Sequence, residues 1–412
     1  MRDVVPAVAL LVLLAVAYLH PPEWVEATAA VGCAAVAVAT GRLSAEEVRV
    51  EIDRLLPVVL FLMAVLAVAE CCRAAGLFAA IGSRLATAGT ADRVFALAFS
   101  AAAVTTVALS LDATVVLLTP VVLAAAAVAG GSARALQLVC VRLANSASLL
   151  LPVSNLTNLL AMPRLHLGFT RFAVLMAPVW LLTLLLEYAA HRAWFRGDAG
   201  PPVAQERSPA TAPAPVPRAP LVVVTAMLVG FAVGSVVGVD PAWVAGAAAV
   251  VLGAMSVASG RLTVGRVIRS THASFALFVL GLGVVVATLG RGPLGTRLGE
   301  LVPGGGDLVD LLAVALLGAV LANLVNNLPA ILLLLPLVAP LGVVPTLATL
   351  VGVNLGSSMT WSGSLANLLW RRTVTRSGGT VSSRDFHGVA LVATPVAIAL
   401  GVVVLDGWAR VV

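Results

Sequence analysis

Apolar runs follow one another along nearly the whole chain, and no soluble architecture has room for them. They fall near residues 4–20, 24–40, 54–71, 93–129, 134–163 and 169–189, then near 221–238, 241–258, 272–288, 308–340, 343–370 and 386–408. A helix crossing a bilayer needs about 20 predominantly apolar residues, so ten crossings and two apolar hairpins of about 35 residues use roughly 270 positions. Of the 412 residues 60% are hydrophobic and only 11% charged, and the mean hydropathy is +1.07. The runs are continuous rather than alternating, which excludes an outer-membrane barrel. The expectation is an all-α polytopic membrane protein. Residues 4–20 lack a strongly basic flank and a second span follows at once, so they read as the first crossing and not as a cleaved leader.

The charged residues exclude several chemistries. The formal net charge is +6, and every one of the 25 basic residues is Arg. Without Lys there is no Walker-type phosphate loop and no Schiff-base chemistry. The basic excess sits in loops, with no soluble domain to carry it to nucleic acid. Cys33, Cys71, Cys72 and Cys140 form no CxxC pair, and His20, His166, His191, His272 and His387 are scattered without metal-ligand spacing. No metal and no cofactor is expected.

The chain is read as a duplication. Gly41-Arg42-Leu43-Ser44 returns as Gly260-Arg261-Leu262-Thr263 (offset 219), and Leu60-Phe61 as Leu277-Phe278 (offset 217). Leu118-Thr119-Pro120 returns as Leu334-Leu335-Pro336 (offset 216), and Asn158-Leu159-Leu160 as Asn367-Leu368-Leu369 (offset 209). Four matches in order with a drifting offset point to repeats. The first spans 1–190, with scaffold helices in 1–92 and transport elements in 93–190. A Pro/Ala-rich flexible linker occupies 191–220. The second repeat spans 221–412, with scaffold in 221–300 and transport elements in 301–412. The blocks 93–129 and 308–340 have turn-forming centres at Ser110-Leu111-Asp112 and Asn326-Asn327-Leu328-Pro329. If both are re-entrant hairpins, each half crosses five times, and the odd count inverts the second half. One side then holds 16 arginines, the linker's included, and the other 9. The positive-inside rule makes the richer side cytoplasmic in a plasma (inner) membrane and puts both termini outside.

Polar residues within such spans are costly and therefore informative. Asp112 is the one carboxylate deep inside an apolar block. Desolvation favours its protonated form, which makes it a candidate proton carrier, against the plainer reading that it satisfies the hairpin backbone. Glu70, Glu187, Asp310 and Asp406 lie at span ends and read as solvated interfacial groups. Pro152-Val153-Ser154-Asn155-Leu156-Thr157-Asn158 breaks a helix that is otherwise continuous, because Pro removes a donor and Ser, Asn and Thr compete for backbone hydrogen bonds. Residues 354–367 form the matching break, with glycine as the breaker. Interhelical Ser/Asn glue is the competing account, although polar breaks at matching places in both halves fit a binding site better. The expected substrate contacts are Ser154, Asn155, Thr157, Asn158, Asn323, Asn326, Asn327, Ser364 and Asn367, with Ser110, Thr114 and Pro329 shaping the hairpins. No Arg lies in either tip or break. Arg142 precedes Ser154 by 12 residues, about 18 Å of helix, which puts it at the membrane face. A polar, almost uncharged site suits a neutral hydroxylated solute or a cation.

These residues resemble a known family. Leu111-Asp112-Ala113-Thr114-Val115-Val116-Leu117-Leu118-Thr119-Pro120 is similar to the first hairpin of arsenite/antimonite efflux permeases (ArsB type) of the ion-transporter superfamily. Ala144-Asn145-Ser146-Ala147-Ser148 with the 152–158 break, Ala322-Asn323-Leu324-Val325-Asn326-Asn327-Leu328-Pro329-Ala330, and Gly352-Val353-Asn354-Leu355-Gly356 with Gly363–Trp370 resemble the remaining motifs. The resemblance implies an elevator-type secondary carrier and homodimer. It also implies export of arsenite or antimonite, as the neutral trihydroxide, in exchange for protons, with an ATPase partner known for some members. Ser357-Ser358 depart from the Gly-Pro type of break expected there. A sodium/proton antiporter would want more than one buried carboxylate, and a dicarboxylate or citrate carrier would want cations. An intramembrane enzyme would need a His within a span to activate Ser154 or Ser110. A thiol–arsenic role for Cys71 and Cys72 is disfavoured by their place at a span end.

Overall fold

The computed structural model describes residues 4–19, 21–129, 132–198 and 213–412, and every regular element among them is helical. The first half contains α1 (Val4–Leu19), α2 (Glu23–Val38), α3 (Ala45–Ala74), α4 (Leu77–Ala86), α5 (Ala91–Leu109) and α6 (Leu111–Ala113). A π-type turn at Thr114–Leu118 leads into α7 (Thr119–Ala129), and then come α8 (Ala133–Ser146), α9 (Leu156–Leu165) and α10 (Phe169–Trp194). The second half contains α11 (Arg218–Val237), α12 (Pro241–Ala258), α13 (Val264–Arg269), α14 (Ala273–Gly290) and α15 (Pro293–Leu301). It ends with α16 (Leu308–Val325), α17 (Asn327–Val338), α18 (Val343–Gly356), α19 (Leu365–Arg376) and α20 (Ser383–Ala409). Nine helical segments among the described residues are long and apolar enough to cross a bilayer. Their outer faces are apolar: Val4, Leu11, Val236, Trp243 and Val309 are each more than half exposed, as suits contact with lipid.

Matching segments build matching local structure. Gly41 and Gly260 both have positive φ, at 72° and 69°. Three residues on, Ser44 and Thr263 each cap a helix by accepting from the backbone N–H of the third residue after them. The outcome then differs: α3 continues unbroken for 30 residues, whereas α13 stops after six and His272, with φ of 49°, starts α14 afresh. Two short helices between spans, α4 and α15, were not foreseen from the sequence. The linker boundaries also shift. Residues 191–194 complete α10, and 218–220 open α11, where Pro220 sits in a first turn that needs no N–H from it. Most of the rest of the linker lies outside the described residues.

Polar contacts collect at two ends of the bundle. At one end Arg266 meets Glu70, Arg134 meets Asp385, Arg192 meets Asp92, His272 meets Glu23, and Arg372 donates to the Leu19 carbonyl. At the other Arg291 meets Glu47, Arg171 donates to the Val412 carbonyl, and Phe169 N–H donates to Ser235. Thus α3 and α14, at matching places in the two halves, run in opposite directions, and so do α10 and α20. Across the halves, α2 packs on α14 and α3 on α12, while α10 lies against α20. The α16–α18 contact is close enough that a Cβ on Gly352 would collide with the Ala315 carbonyl.

Candidate functional site: two hairpin tips against two broken helices

Each long apolar block is two helices joined through a single residue with positive φ. Ser110 (φ 112°, ψ 165°) joins α5 to α6, and Asn326 (φ 76°, ψ 153°) joins α16 to α17. The offset between them is 216, the same as for the hairpin motif in the sequence. Non-glycine residues in that region store about 1–3 kcal/mol of strain each, and such strain gathers at functional sites. The tips are fastened differently. Asn326 donates to the Ser362 carbonyl at 2.9 Å and accepts from Leu328 N–H. Ser110 Oγ is buried with no hydrogen-bond partner. Thr114 binds Thr106 across the first hairpin at 2.8 Å.

The helix breaks share one design. After α8 the chain makes 3-10 turns at Ala147–Leu149 and Pro152–Ser154, and after α18 at Ser357–Met359 and Trp361–Gly363. Leu151 and Thr360 are extended between the paired turns. Asn155 and Ser364, also extended, cap α9 and α19 by accepting from the N–H two residues on. Trp361 stands where Pro152 does, so proline is not what makes the break. A Cβ on Gly363 would collide with the Ser357 carbonyl, so glycine is required there by space.

Amides hold these breaks closed, reciprocally between the halves. Asn158 Nδ2 donates to the carbonyls of Ser148 and Leu151 at 2.8 and 3.2 Å. Asn367 Nδ2 donates to those of Ser357 and Thr360, both at 2.8 Å. Each clamp then accepts from an Asn of the opposite half: Asn354 Nδ2 donates to Asn158 Oδ1 at 2.7 Å, and Asn145 Nδ2 to Asn367 Oδ1 at 2.9 Å. All these pairs obey the offset of 209. Asn354 Oδ1 further accepts from Thr157 at 2.6 Å and Asn155 at 3.3 Å.

Between the tips and the breaks lies a cavity of about 50 Å3. Ser110, Asp112, Ser154, Asn155, Thr157, Asn327 and Ser364 line it on one side, and Phe61, Leu62, Val65 and Phe275 from α3 and α14 wall the other. Of the residues expected from the sequence, these seven polar ones meet. Asn158 and Asn367 lie behind the lining as clamps, Asn323 and Asn326 hold the second break, and Thr114 and Pro329 are hairpin structure. The Asp112 carboxylate and Asn327 amide make no hydrogen bond among the described residues, and Ser110 Oγ is likewise unpartnered. The lining contains one carboxylate and no Arg or His. Cys71 and Cys72 do not reach it; they are buried in α3, with Cys71 beside Ser256.

Three sequence expectations need correction. Arg142 is not at a membrane face but 1% exposed, bonded to Glu187 at 2.5 and 3.1 Å, to Ser358 Oγ at 3.0 Å and to Thr394 at 3.1 Å. Glu187 is not a solvated interfacial group but its buried partner, 2% exposed. His191, assigned to the linker and outside any span, is fully buried at the end of α10. Counting residues along a straight helix could not reveal a partner 45 positions away. The roles of Asn145 and Asn354 were also missed, although the 209 offset maps one onto the other.

A helical bundle with a small polar cavity between tips and broken helices has the architecture of a membrane carrier. The citrate transporter family (CitMHS) profile matches residues 4–350, and the chain belongs to that family of membrane transporters. Arsenical pump membrane proteins are also similar: that of Escherichia coli is 29% identical over 303 residues, covering 69% of this chain and 70% of that one. That of Yersinia enterocolitica is 30% identical over 300 residues with the same coverage. Among solved structures, the Alcanivorax borkumensis YdaH transporter, described as having an unusual topology, superposes with a TM-score of 0.55 over 90% of both chains at 20% identity. That likeness concerns the fold.

Proposed function

We propose that this transporter exports arsenite or antimonite, as the uncharged trihydroxide, in exchange for protons. The observation that carries the reading is the cavity itself: about 50 Å3, lined by hydroxyls and amides with one carboxylate and no cation. At 10–15 Å3 per water-sized probe, it holds roughly three to five water-sized groups. A trihydroxide fits that space and finds hydroxyl and amide partners. A citrate trianion is much larger and would place its charges where no guanidinium or imidazole answers them. The arsenical pump relatives support this choice over the tricarboxylate for which the family is named.

Asp112 is the proton carrier in this reading. It faces the cavity without a hydrogen bond, so proton and substrate compete for one polar space, as exchange requires. His272 is the titratable group close enough to act on it electrostatically, and it belongs to the arginine-rich end. We assign that end to the cytoplasm, with the linker there and the termini outside. The two halves are inverted repeats, a reading supported by the opposite run of α3 and α14 and of α10 and α20. Hairpins and broken helices move as a transport unit against a scaffold built around α2, α3, α12 and α14, in an elevator motion. The cavity lies where the two groups meet. A homodimer and a cytoplasmic ATPase partner follow from the resemblance alone.

The test is arsenite uptake into everted vesicles with and without an imposed proton gradient. Gradient-dependent accumulation is the expected result. If arsenite fails to accumulate while sodium collapses the gradient, the protein is a sodium/proton antiporter and the substrate reading is wrong.

A further inference from the structure

A second cavity, of about 240 Å3, opens at the arginine-rich end of the bundle. Asp92 and Phe95 of α5, His191 and Arg192 of α10, and Arg196 and Asp198 beyond it contribute to its lining. His191 is fully buried, and its Nδ1 lies 2.8 Å from the Glu187 carbonyl oxygen. A carbonyl only accepts, so Nδ1 carries the hydrogen and the neutral ring presents its lone pair at Nε2. Among the described residues that Nε2 is buried and has no partner, and His191 is one of the residues lining the cavity. An orphaned buried acceptor calls for an explanation.

Behind the ring stands a relay. Glu187 Oε2 is 3.7 Å from His191 Nδ1, and the same carboxylate grips Arg142 through two hydrogen bonds. Arg142 in turn donates to Ser358 Oγ, within the 3-10 turn that leads into the second break. The position 209 residues beyond Arg142 is Val351, so the relay has no counterpart at the matching place in the second half. The charged groups around His191 are Glu187 and Arg192 on its own helix, Arg142 on α8, Asp92 on α5 and bound to Arg192, and Arg196 and Asp198 after α10. The rings of Phe95 and Phe195 lie 6.3 Å from it.

We infer that His191 is a second proton-binding site, filled from this cavity and read out at the second break. A proton from cavity water adds to the Nε2 lone pair, and no covalent bond is broken in the protein. The resulting imidazolium competes with Arg142 for the Glu187 carboxylate and loosens the guanidinium's hold on Ser358. Acid at this end therefore softens the break that carries Ser364 into the substrate cavity, whatever the state of Asp112. The inference rests on the transport reading only in that the second break lines that cavity.

Two measurements without substrate test it. In the first, the imidazole resonances of the five histidines are titrated in the purified protein and in His191→Gln. The signal missing from the variant is expected to titrate as the solution is acidified. In the second, hydrogen exchange of residues 357–364 is followed at about pH 6 and about pH 8 and corrected for the intrinsic rate. Exchange is expected to be several-fold faster at the lower pH in the native protein, with no such difference in His191→Gln. Ser358→Ala, which removes the Arg142 contact and leaves His191 in place, should abolish the pH effect on exchange while the histidine still titrates. A His191 signal that does not titrate overturns the inference, and so does an exchange difference that survives in both variants. Neither arm uses arsenite, so its outcome is separate from that of the vesicle assay.

Discussion

The two helix breaks have nearly the same backbone and quite different chemistry. Both run from a 3-10 turn through an extended residue to a second turn and a capped helix, and both are clamped by an amide at the same spacing. Yet the first break faces a tip bearing Asp112 and an unpartnered Ser110, while the second tip has Leu328 at the position matching Asp112 and an Asn326 tied into the backbone. Arg142 belongs to the first half but acts on the second break. The two breaks share what holds them together, while the carboxylate at a tip and the buried Arg142–Glu187 pair belong to the first half alone. Matching backbones with an asymmetric charge set suit the exchange proposed above, in which two different cargoes share one space.

The largest expected effect probes that asymmetry. Asp112→Asn should remove gradient-driven transport while leaving the helical content and unfolding temperature close to native. Retained pH-dependent transport in that variant would end the proton-carrier role. Next come the two asparagines that donate to the clamps from the opposite half. Asn354→Ala and Asn145→Ala should each lower stability by about 1–3 kcal/mol for every buried partner left unsatisfied. Asn354→Ala should be the costlier, since Asn155 and Thr157 also depend on it. Thermal unfolding in detergent reads this directly, and a neutral Asn145→Ala would show that reciprocity is geometric but not energetic. Gly363→Ala then separates the breaks: the added Cβ meets the Ser357 carbonyl, and overpacking of this kind costs typically about 1–3 kcal/mol. Ser154, at the matching position, already carries a side chain. The smallest effect concerns the tips. Ser110→Gly relieves strain of about 1–3 kcal/mol and sacrifices no hydrogen bond, so the unfolding temperature should rise. Asn326→Gly gives up its bonds to Ser362 and Leu328 and should show no such gain.

Much of this was legible in the sequence because it depends on local composition and on repetition. Continuous apolar runs set the class, and the offsets 216 and 209 recur in the structure as Ser110 with Asn326 and as Asn158 with Asn367. The segments matched at Gly41 and Gly260 likewise form the same positive-φ turn. Seven of the polar residues expected at the site do line one cavity, since a polar group inside an apolar run has few places to go. What the sequence hid depends on pairing across distance. A lone Arg in a helix looks like a snorkelling residue until its carboxylate is located on another helix, and Arg142 with Glu187 is such a case. Asn158 and Asn367 looked like ligand contacts because nothing local says that their amides are already spent on the backbone of the break and on each other's half.

The reciprocal clamps also bear on how the molecule is made. When the first half has entered the bilayer, Asn145 lacks Asn367 and Asn158 Oδ1 lacks Asn354. Each partner lies on the far side of the linker, more than 190 residues downstream, and arrives only with the closing helices of the second half. Until then the Asn145 side chain keeps only its bond to the Val141 carbonyl, and that of Asn158 only those its Nδ2 makes to Ser148 and Leu151. Both breaks gain their cross-half bonds only when the second half is in place, so a chain truncated before Asn354 should be markedly less stable than the full chain, however many of its spans are already inserted.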